Sequence, residues 1–149
     1  MKGVPGAIVG AGTVLNEADL RACIDAGAEF IVSPGLTTPL GQAAIASGRP
    51  FLPGIANASD IMRGLDMGLS HFKFFPAEAS GGISTLKALA APFRQCRFCP
   101  TGGITLATAQ NWLGLDPVLC VGGSWIVPAG TPDLQAIEAA ARVASQLRN

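Results

Sequence analysis

The aromatic run HFKFFP at residues 71–76 contains one lysine. In a strand the side chains alternate between two faces, so His71, Lys73 and Phe75 share one face and the two intervening phenylalanines share the other. Apolar surroundings disfavour the charged ammonium of a lysine and favour the neutral amine, which can attack a ketone and form a protonated imine. The segment therefore indicates Schiff-base chemistry at Lys73.

Lys73 alone does not decide this chemistry, because a lysine near the end of a strand can also extend its ammonium to solvent. His71 is the one histidine of the chain, and we assign it to packing or hydrogen bonding rather than to proton transfer. Glu78 follows in the segment PAEAS and is interpreted as a solvated loop residue. The choice between the two interpretations of Lys73 therefore depends on other segments.

Two glycine pairs end the last two strand-like runs. The sequences PTGGI at 100–104 and VGGSW at 121–125 each follow an apolar run. Glycine lets backbone N–H groups approach phosphate oxygens, and βα barrels commonly bind phosphate after their last two strands. One pair alone would favour a tight turn. Two pairs on consecutive strands favour a phosphate site made of Gly102, Gly103, Gly122, Gly123 and Ser124.

Two earlier strand ends are expected at the same edge as the lysine. The segment GAGT at 10–13 brings the hydroxyl of Thr13, and SPG at 33–35 brings the apolar ring of Pro34. GAGT lacks the full glycine fingerprint of a dinucleotide site, and no acidic residue ends a strand about 20 residues later. The sequence therefore argues against a nicotinamide cofactor and makes Thr13 and Pro34 candidate neighbours of Lys73.

Six short apolar runs alternate with helical segments. Asn16 and the pair Ser59-Asp60 are typical of helix starts. Successive βα units of this kind wind right-handed into a parallel sheet, which is either a barrel or an open doubly wound sheet. The runs begin at Ile8, Phe30, Phe51, Phe72, Arg97 and Val118, and the predicted helices cover 17–26, 39–47, 58–67, 83–91, 105–113 and 132–146.

Composition favours a globular protein with a well-covered sheet. Of 149 residues, 49% are hydrophobic and 13% are charged, and ten basic residues balance ten acidic ones. This balance argues against a nucleic acid or an anionic membrane as partner. Every hydrophobic run is shorter than the roughly 18 residues of a membrane span, and the first residues do not form a signal peptide. We therefore expect a cytoplasmic protein whose partners are small molecules or copies of itself.

The four cysteines are predicted to be buried, reduced thiols. Cys96 and Cys99 superficially resemble a metal or redox pair. If their segment is a strand, positions three apart point to opposite faces, which argues against joint chelation. No metal site is expected.

Several segments together resemble the 2-keto-3-deoxy-6-phosphogluconate (KDPG) and 4-hydroxy-2-oxoglutarate (KHG) aldolases. They are GAGTVLN, VSPGLTTP, PGI, FKFFPAEASGG, FCPTGGI and VGGSW, in the family's order and over nearly the whole chain. The resemblance implies a βα barrel, generally trimeric, that cleaves KDPG reversibly to pyruvate and glyceraldehyde 3-phosphate. It implies that neither a metal nor another cofactor is needed.

The same resemblance implies roles for individual residues. Lys73 would form the imine, and Thr101 would make a nearby polar contact. Thr13, Pro34 and Phe75 would line the pocket for the pyruvyl group. The substrate phosphate would rest on the residues already assigned from the glycine pairs, which are Gly102, Gly103, Gly122, Gly123 and Ser124.

The resemblance also implies that GAGT belongs to the family's third strand, so the first two βα units have no counterpart in this sequence. We therefore predict one α/β domain over residues 1–149, of TIM-barrel type but incomplete, with six of eight βα units and a C-terminal helix. The glutamate that moves protons and the arginine that holds the substrate carboxylate belong to the family's second strand. Their absence predicts a class I aldolase-like protein with impaired activity.

Two alternatives stay open. One is a non-catalytic remnant of the barrel that binds a phosphorylated ligand or assembles with itself. The other is a different phosphate-binding barrel enzyme, similar to thiamine-phosphate synthase, against which the lysine motif FKFFPAEA argues. A homo-oligomer is expected, because six strands of an eight-strand barrel would leave the first and last strands with unpaired backbone edges. Closure of a smaller barrel is the alternative.

Overall fold

The computed structural model describes residues 4–131 and 133–147, in which short strands alternate with helices. This order agrees with the predicted α/β class. The chain divides into two compact units, Met1–Lys73 and Phe74–Asn149. The strands are β1 (Ile31–Val32), β2 (Phe51–Leu52), β3 (Gly54–Ile55), β4 (His71–Phe74) and β5 (Arg97–Pro100), and the helices are α1 (Glu17–Asp25), α2 (Thr38–Ala46), α3 (Ala58–Asp66), α4 (Gly82–Ala90), α5 (Leu106–Leu113) and α6 (Leu134–Ala144).

The first five helices lie within one residue of their predicted boundaries at each end. Asn16 caps α1 as expected, because its side chain accepts a hydrogen bond from the N–H of Asp19 at 2.9 Å. The expected cap of α3 at Ser59-Asp60 is wrong. Asn57 has an extended backbone and accepts from the N–H of Asp60 at 3.0 Å, so it caps the helix two residues earlier.

In the first unit, neighbouring backbone segments run parallel. β1 pairs with β2, with Ile31 opposite Phe51, and Ala11 forms an isolated parallel bridge with Ile31. The strand expected from Ile8 is therefore an extended segment with one bridge, since Ala11 alone bonds to the β1 segment through both its N–H and its carbonyl. The hydrophobic core of this region consists of the buried side chains of Val14, Leu20, Ala28, Ile31, Leu40 and Ala44.

β4 is held in the first unit by a backbone bond and by a close helix contact. The N–H of Lys73 donates to the carbonyl of Pro53 at 2.8 Å. The ring of Phe72 is fully buried, and a Cβ at Gly64 of α3 would collide with that ring. Glycine at this position therefore lets α3 pack closely on β4 and keeps Phe72 on the helix-covered face.

In the second unit, residues 118–122 run parallel to β5. Phe98 bridges Val118, and Thr101 bridges Gly122. The strand expected from Val118 is thus present only as these two bridges. Three residues separate Val118 from Gly122, whereas two residues separate Phe98 from Thr101, so regular pairing is interrupted. The buried core of this unit includes Phe74, Leu86, Phe98, Trp112 and Val118.

The last helix begins where the side chain of Asp133 accepts hydrogen bonds from two backbone N–H groups. Its predicted start at Pro132 lies outside the described residues, and α6 runs from Leu134 to Ala144 rather than to Gln146. Of the helices in the described part of the chain, each is too short or too polar to cross a bilayer.

Glu78 is an exposed loop residue, as expected, but it also contacts the core of the second unit. Trp112 is fully buried, and its Nε1–H donates to Oε1 of Glu78 at 3.0 Å across 34 residues of sequence. A buried donor needs such an acceptor, since an unpaired one loses its hydration without compensation. The loop after β4 is therefore fixed to α5.

We expect Glu78→Ala to lower the free energy of unfolding by about 1–3 kcal/mol, because it removes the acceptor of a buried donor. Glu78→Gln keeps a carbonyl oxygen and should lose less. Glu138→Ala is the matched control: it breaks an exposed ion pair with Arg142 and should change stability by less than about 0.5 kcal/mol. Urea unfolding followed by tryptophan fluorescence measures all three, and equal losses for the two alanine variants would contradict the expectation.

Candidate functional site

Lys73 lies in β4 between two fully buried phenylalanines. Phe72 and Phe74 each expose 0% of their surface, whereas Lys73 is half-buried and His71 is exposed. Burial therefore alternates along β4 as the sequence predicts, and Lys73 projects from the face opposite the two rings. The ring Nδ1 of His71 lies 3.1 Å from Oγ of Ser70, so its polar contact is local.

Thr13 and Pro34 lie at the ends of neighbouring segments in the first unit. The N–H of Val14 donates to the carbonyl of Val32 at 3.2 Å, which holds Thr13 beside the end of β1, and Pro34 follows β1 directly. Thr13 has a φ of 60°, a left-handed conformation that costs a β-branched residue about 1–2 kcal/mol. Strain of this kind is concentrated at functional sites. Gly54 packs directly against the carbonyl of Pro34.

A cavity of about 420 Å³ in the second unit lies where two neighbouring segments end and α5 begins. It brings together six of the predicted site residues. Ile104 and Thr105 also line it, and the sequence analysis missed both. Thr105 caps α5 and forms a reciprocal capping pair with Thr108. Two threonines three residues apart are the sequence signal that could have predicted this helix start. The predicted residues around the cavity are Thr101, Gly102, Gly103, Gly122, Gly123 and Ser124.

The two glycine pairs are needed for different reasons. Gly102 and Gly103 have φ values of 99° and 81°, in the left-handed region where glycine is free of strain. The second pair is needed for space. A Cβ on Gly122 would collide with the methyl group of Thr101, and one on the next glycine would collide with the ring of Trp125. Glycine is therefore required at both pairs by the protein's own backbone conformation and packing, and the absence of side chains leaves the N–H groups accessible from the cavity.

Polar groups without a protein partner border this cavity. Oγ1 of Thr101 is buried and makes no hydrogen bond. Within residues 4–131 and 133–147, the N–H groups of Gly103, Gly123 and Ser124 have no acceptor. The N-terminus of α5 adds the positive end of a helix dipole, and none of the described lining residues is acidic. The cavity therefore fits an anion with several oxygens.

Phe75 lies beside this cavity. Its half-buried ring would be 3.3 Å from a Cβ on Gly102, and the N–H of Thr101 donates to the carbonyl of Phe74 at 3.0 Å. The predicted site residues thus fall into two sets. The first unit holds Thr13, Pro34 and Lys73, and the second holds Phe75, Thr101, Gly102, Gly103, Gly122, Gly123 and Ser124.

Alternating parallel βα units, a lysine on the strand β4 and glycine pairs after two successive segments define an α/β protein of the TIM-barrel-like class. The chain belongs to the KDPG and KHG aldolase family, whose model matches residues 1–140. This match confirms the resemblance predicted from the sequence motifs.

Curated relatives agree with this family. The chain is 58% identical over 148 residues to the 2-dehydro-3-deoxy-phosphogluconate aldolase of Zymomonas mobilis, covering 99% of this chain and 71% of that enzyme. It is also 58% identical over 128 residues to the KHG/KDPG aldolase of Escherichia coli K12, covering 86% of this chain and 60% of that enzyme. The chain therefore spans between three fifths and about seven tenths of the length of these two relatives.

Two solved structures share the fold. The KDPG aldolase of Zymomonas mobilis ZM4 with 3-phosphoglycerate superposes with a TM-score of 0.97 at 57% identity, over 99% of this chain and 71% of that one. The KDPG aldolase of Legionella pneumophila, with pyruvate captured as a covalent carbinolamine, gives 0.87 at 42% identity, over 99% of this chain and 72% of that one.

We expect Thr101→Val to weaken anion binding without loss of stability. Valine keeps the shape but removes a buried hydroxyl that has no partner, so the free energy of unfolding without anion should be unchanged or about 1 kcal/mol higher. Inorganic phosphate should raise the Tm of the wild type by binding the folded state, and should raise that of the variant less.

Thr37→Val is the control for this experiment, because the hydroxyl of Thr37 is exposed and makes no capping bond. Its phosphate response should equal that of the wild type. Equal Tm shifts in the wild type and Thr101→Val would count against the anion assignment.

Proposed function

We propose that this chain is a class I aldolase that cleaves KDPG to pyruvate and glyceraldehyde 3-phosphate through an imine at Lys73. The observation that carries the proposal is the half-buried Lys73 between two fully buried phenylalanines, in a chain 58% identical to a named aldolase of this type. The Legionella pneumophila enzyme, which captures pyruvate as a covalent carbinolamine, supports it, since a carbinolamine is the species that precedes an imine.

The proposed reaction uses the lysine as an electron sink. The neutral amine of Lys73 adds to the keto carbon of the substrate, and loss of water gives a protonated imine. The bond between the third and fourth carbons then breaks, and its electron pair moves into the imine as the fourth-carbon hydroxyl loses its proton and becomes the aldehyde. Protonation of the resulting enamine and hydrolysis release pyruvate and return the amine.

We assign the site residues to the two ends of the substrate. By the family resemblance, Thr13, Pro34 and Phe75 each contact the pyruvyl group, and the strained backbone of Thr13 supports a positioning role for its hydroxyl. The glycine-lined cavity holds the phosphate through backbone N–H groups and the hydroxyls of Thr101 and Ser124. The Zymomonas mobilis structure with 3-phosphoglycerate supports this end of the assignment, because that molecule is a three-carbon phosphate like the aldehyde product.

Proton transfer is the step that we expect to be slow in this 149-residue chain assayed by itself. By the family resemblance, the proton-transferring glutamate and the carboxylate-binding arginine belong to a strand that precedes GAGT at 10–13. Residues 1–9, which precede GAGT in this sequence, contain neither a glutamate nor an arginine. A positioned acid or base contributes about 10²–10⁴ in rate, whereas imine formation requires mainly the neutral amine. The chain should therefore form the adduct more readily than it turns over.

Trapping with pyruvate and borohydride should label Lys73 of the wild type. Lys73→Ala should give no adduct, and Lys87→Ala should give the wild-type adduct, since Lys87 is an exposed lysine of α4. Peptide mass mapping identifies the labelled residue. Release of pyruvate from KDPG, followed with a coupled dehydrogenase, should be slow in the wild type and absent in Lys73→Ala.

Two results would change this proposal. No adduct at Lys73 would reject the imine mechanism and favour a non-catalytic phosphate-ligand-binding protein. Turnover close to that of the Zymomonas mobilis enzyme, abolished by Lys73→Ala, would contradict the expectation that proton transfer is slow. It would show that another residue of this chain moves the protons.

We also propose that the protein is a cytoplasmic homo-oligomer whose small-molecule partners are pyruvate and a phosphorylated keto acid. Large apolar side chains on its surface support self-association: Ile8 is 74% exposed and Leu134 is 78% exposed, and such groups favour burial against another chain. Light scattering should give a mass that is a multiple of the 15.1 kDa chain. A monodisperse monomer at micromolar concentration would contradict this expectation.

A further inference from the structure

Two of the four cysteines lie side by side in the second unit. Cys99 is the third residue of β5, and Cys120 belongs to the parallel segment 118–122. The two side chains are close enough for the thiol of Cys99 to lower the pKa of the Cys120 thiol through a side-chain hydrogen bond. Cys99 is half-buried, Cys120 is exposed, and neither is in a disulfide. The expectation that the cysteines are buried holds for Cys96, whereas Cys23 and Cys99 are half-buried and Cys120 is exposed.

The pairing of the two segments explains this contact. Phe98 bridges Val118 and Thr101 bridges Gly122, so two residues of β5 stand opposite three residues of the other segment. The extra residue is a bulge, which redirects side chains from the regular alternation. Without it, Cys120 would stand opposite the buried residue that follows Cys99, on the other face of the sheet.

Backbone hydrogen bonds on both sides fix the two cysteines. The N–H of Leu119 donates to the carbonyl of Phe98 at 3.0 Å, and the N–H of Gly122 donates to that of Pro100 at 2.9 Å. Neighbouring strands lie about 4.8 Å apart, and the Cα atoms of a disulfide lie about 4.4–6.8 Å apart. The usual spacing of neighbouring segments therefore lies within the range of Cα separations that a disulfide spans.

The surroundings favour reaction at Cys120. Its hydrogen bond with Cys99 lowers the pKa of its thiol from 9.0 to about 7, against the opposing effect of partial burial. Cys120 lines a cavity of about 390 Å³ and is the one titratable group among the described lining residues, which come also from α5 and α6. Cys96 differs, because burial raises the pKa of its thiol. A reagent that enters the cavity therefore reaches Cys120, the residue whose thiol pKa is lowered.

We propose that Cys120 and Cys99 form a peroxide-sensitive dithiol site, in which Cys120 is the attacking thiol and Cys99 the resolving one. The thiolate of Cys120 attacks one oxygen of a hydroperoxide, breaks the O–O bond and becomes a sulfenic acid. The thiol of Cys99 then attacks that sulfur and displaces water. The two thiols lose two electrons and two protons in total, and hydrogen peroxide is reduced to two water molecules.

The first test uses the wild-type protein. It is treated with a small excess of hydrogen peroxide, quenched, unfolded, alkylated with iodoacetamide and digested with trypsin. No lysine or arginine lies between Arg97 and Arg142, so Cys99 and Cys120 share one peptide, while Cys23 and Cys96 lie in two others. We expect the shared peptide to lose both alkylations and to be two hydrogens lighter than its reduced form, with the other two cysteines alkylated. Dithiothreitol should restore both alkylations.

Two replacements of Cys99 separate its two roles. Cys99→Ser keeps a hydroxyl donor but cannot form the disulfide, so peroxide should leave Cys120 as a sulfenic acid that dimedone labels. Cys99→Ala removes the hydrogen bond, so the inflection for alkylation of Cys120 should rise from near pH 7 towards its ordinary value. Cys23→Ser, in the first unit, is the control and should form the disulfide as the wild type does.

Three outcomes would overturn the proposal. The first is a wild-type shared peptide that keeps both alkylations after peroxide. The second is oxidation of Cys120 to the sulfinic acid in the wild type at the rate seen in Cys99→Ser, which would mean that Cys99 does not resolve it. The third is a disulfide between two chains, seen as a dimer on a non-reducing gel, in place of the linked peptide.

Discussion

Burial of alternate residues along β4 is the constraint on which the lysine assignment depends. Phe72 is buried where α3 approaches at Gly64, and in the second unit the ring of Phe74 lies 6.3 Å from that of Trp112. Burying a phenylalanine contributes about 1.5–3 kcal/mol. A slip of one residue would expose both rings and bury Lys73 in their place. The same packing that stabilises the strand therefore sets the direction of the amine.

The cavity of the second unit shows how a neutral backbone can form an anion site. One glycine pair permits a left-handed backbone, and the other permits close approach to Thr101 and Trp125. Their N–H groups, the dipole of α5 and the buried hydroxyl of Thr101 together supply donors without a formal charge.

The bulge between β5 and segment 118–122 affects two features of one pairing. It places Gly122 against Thr101 at the cavity, and it also places Cys120 beside Cys99. Bulges are common next to functional sites because they redirect side chains without ending the sheet. Here the two thiols stand two residues before Thr101 and Gly122, which line the cavity.

The sequence by itself determined the features that depend on local pattern. The α/β order, the ends of the first five helices, the Asn16 cap and the placement of Lys73 on the face opposite Phe72 and Phe74 all follow from the spacing of apolar, capping and glycine residues. The family was also recognisable from the motifs around Lys73 and the glycine pairs.

Tertiary structure decided the rest, because those features depend on contacts between distant residues. The extended segments at Ile8 and Val118 form only isolated bridges, since regular strand pairing requires a matched partner and the second has a bulge. Glu78 acquires a role only through Trp112, which is 34 residues away. Cys120 meets Cys99 through a one-residue mismatch between two segments, and a single sequence does not encode such a register in any local pattern.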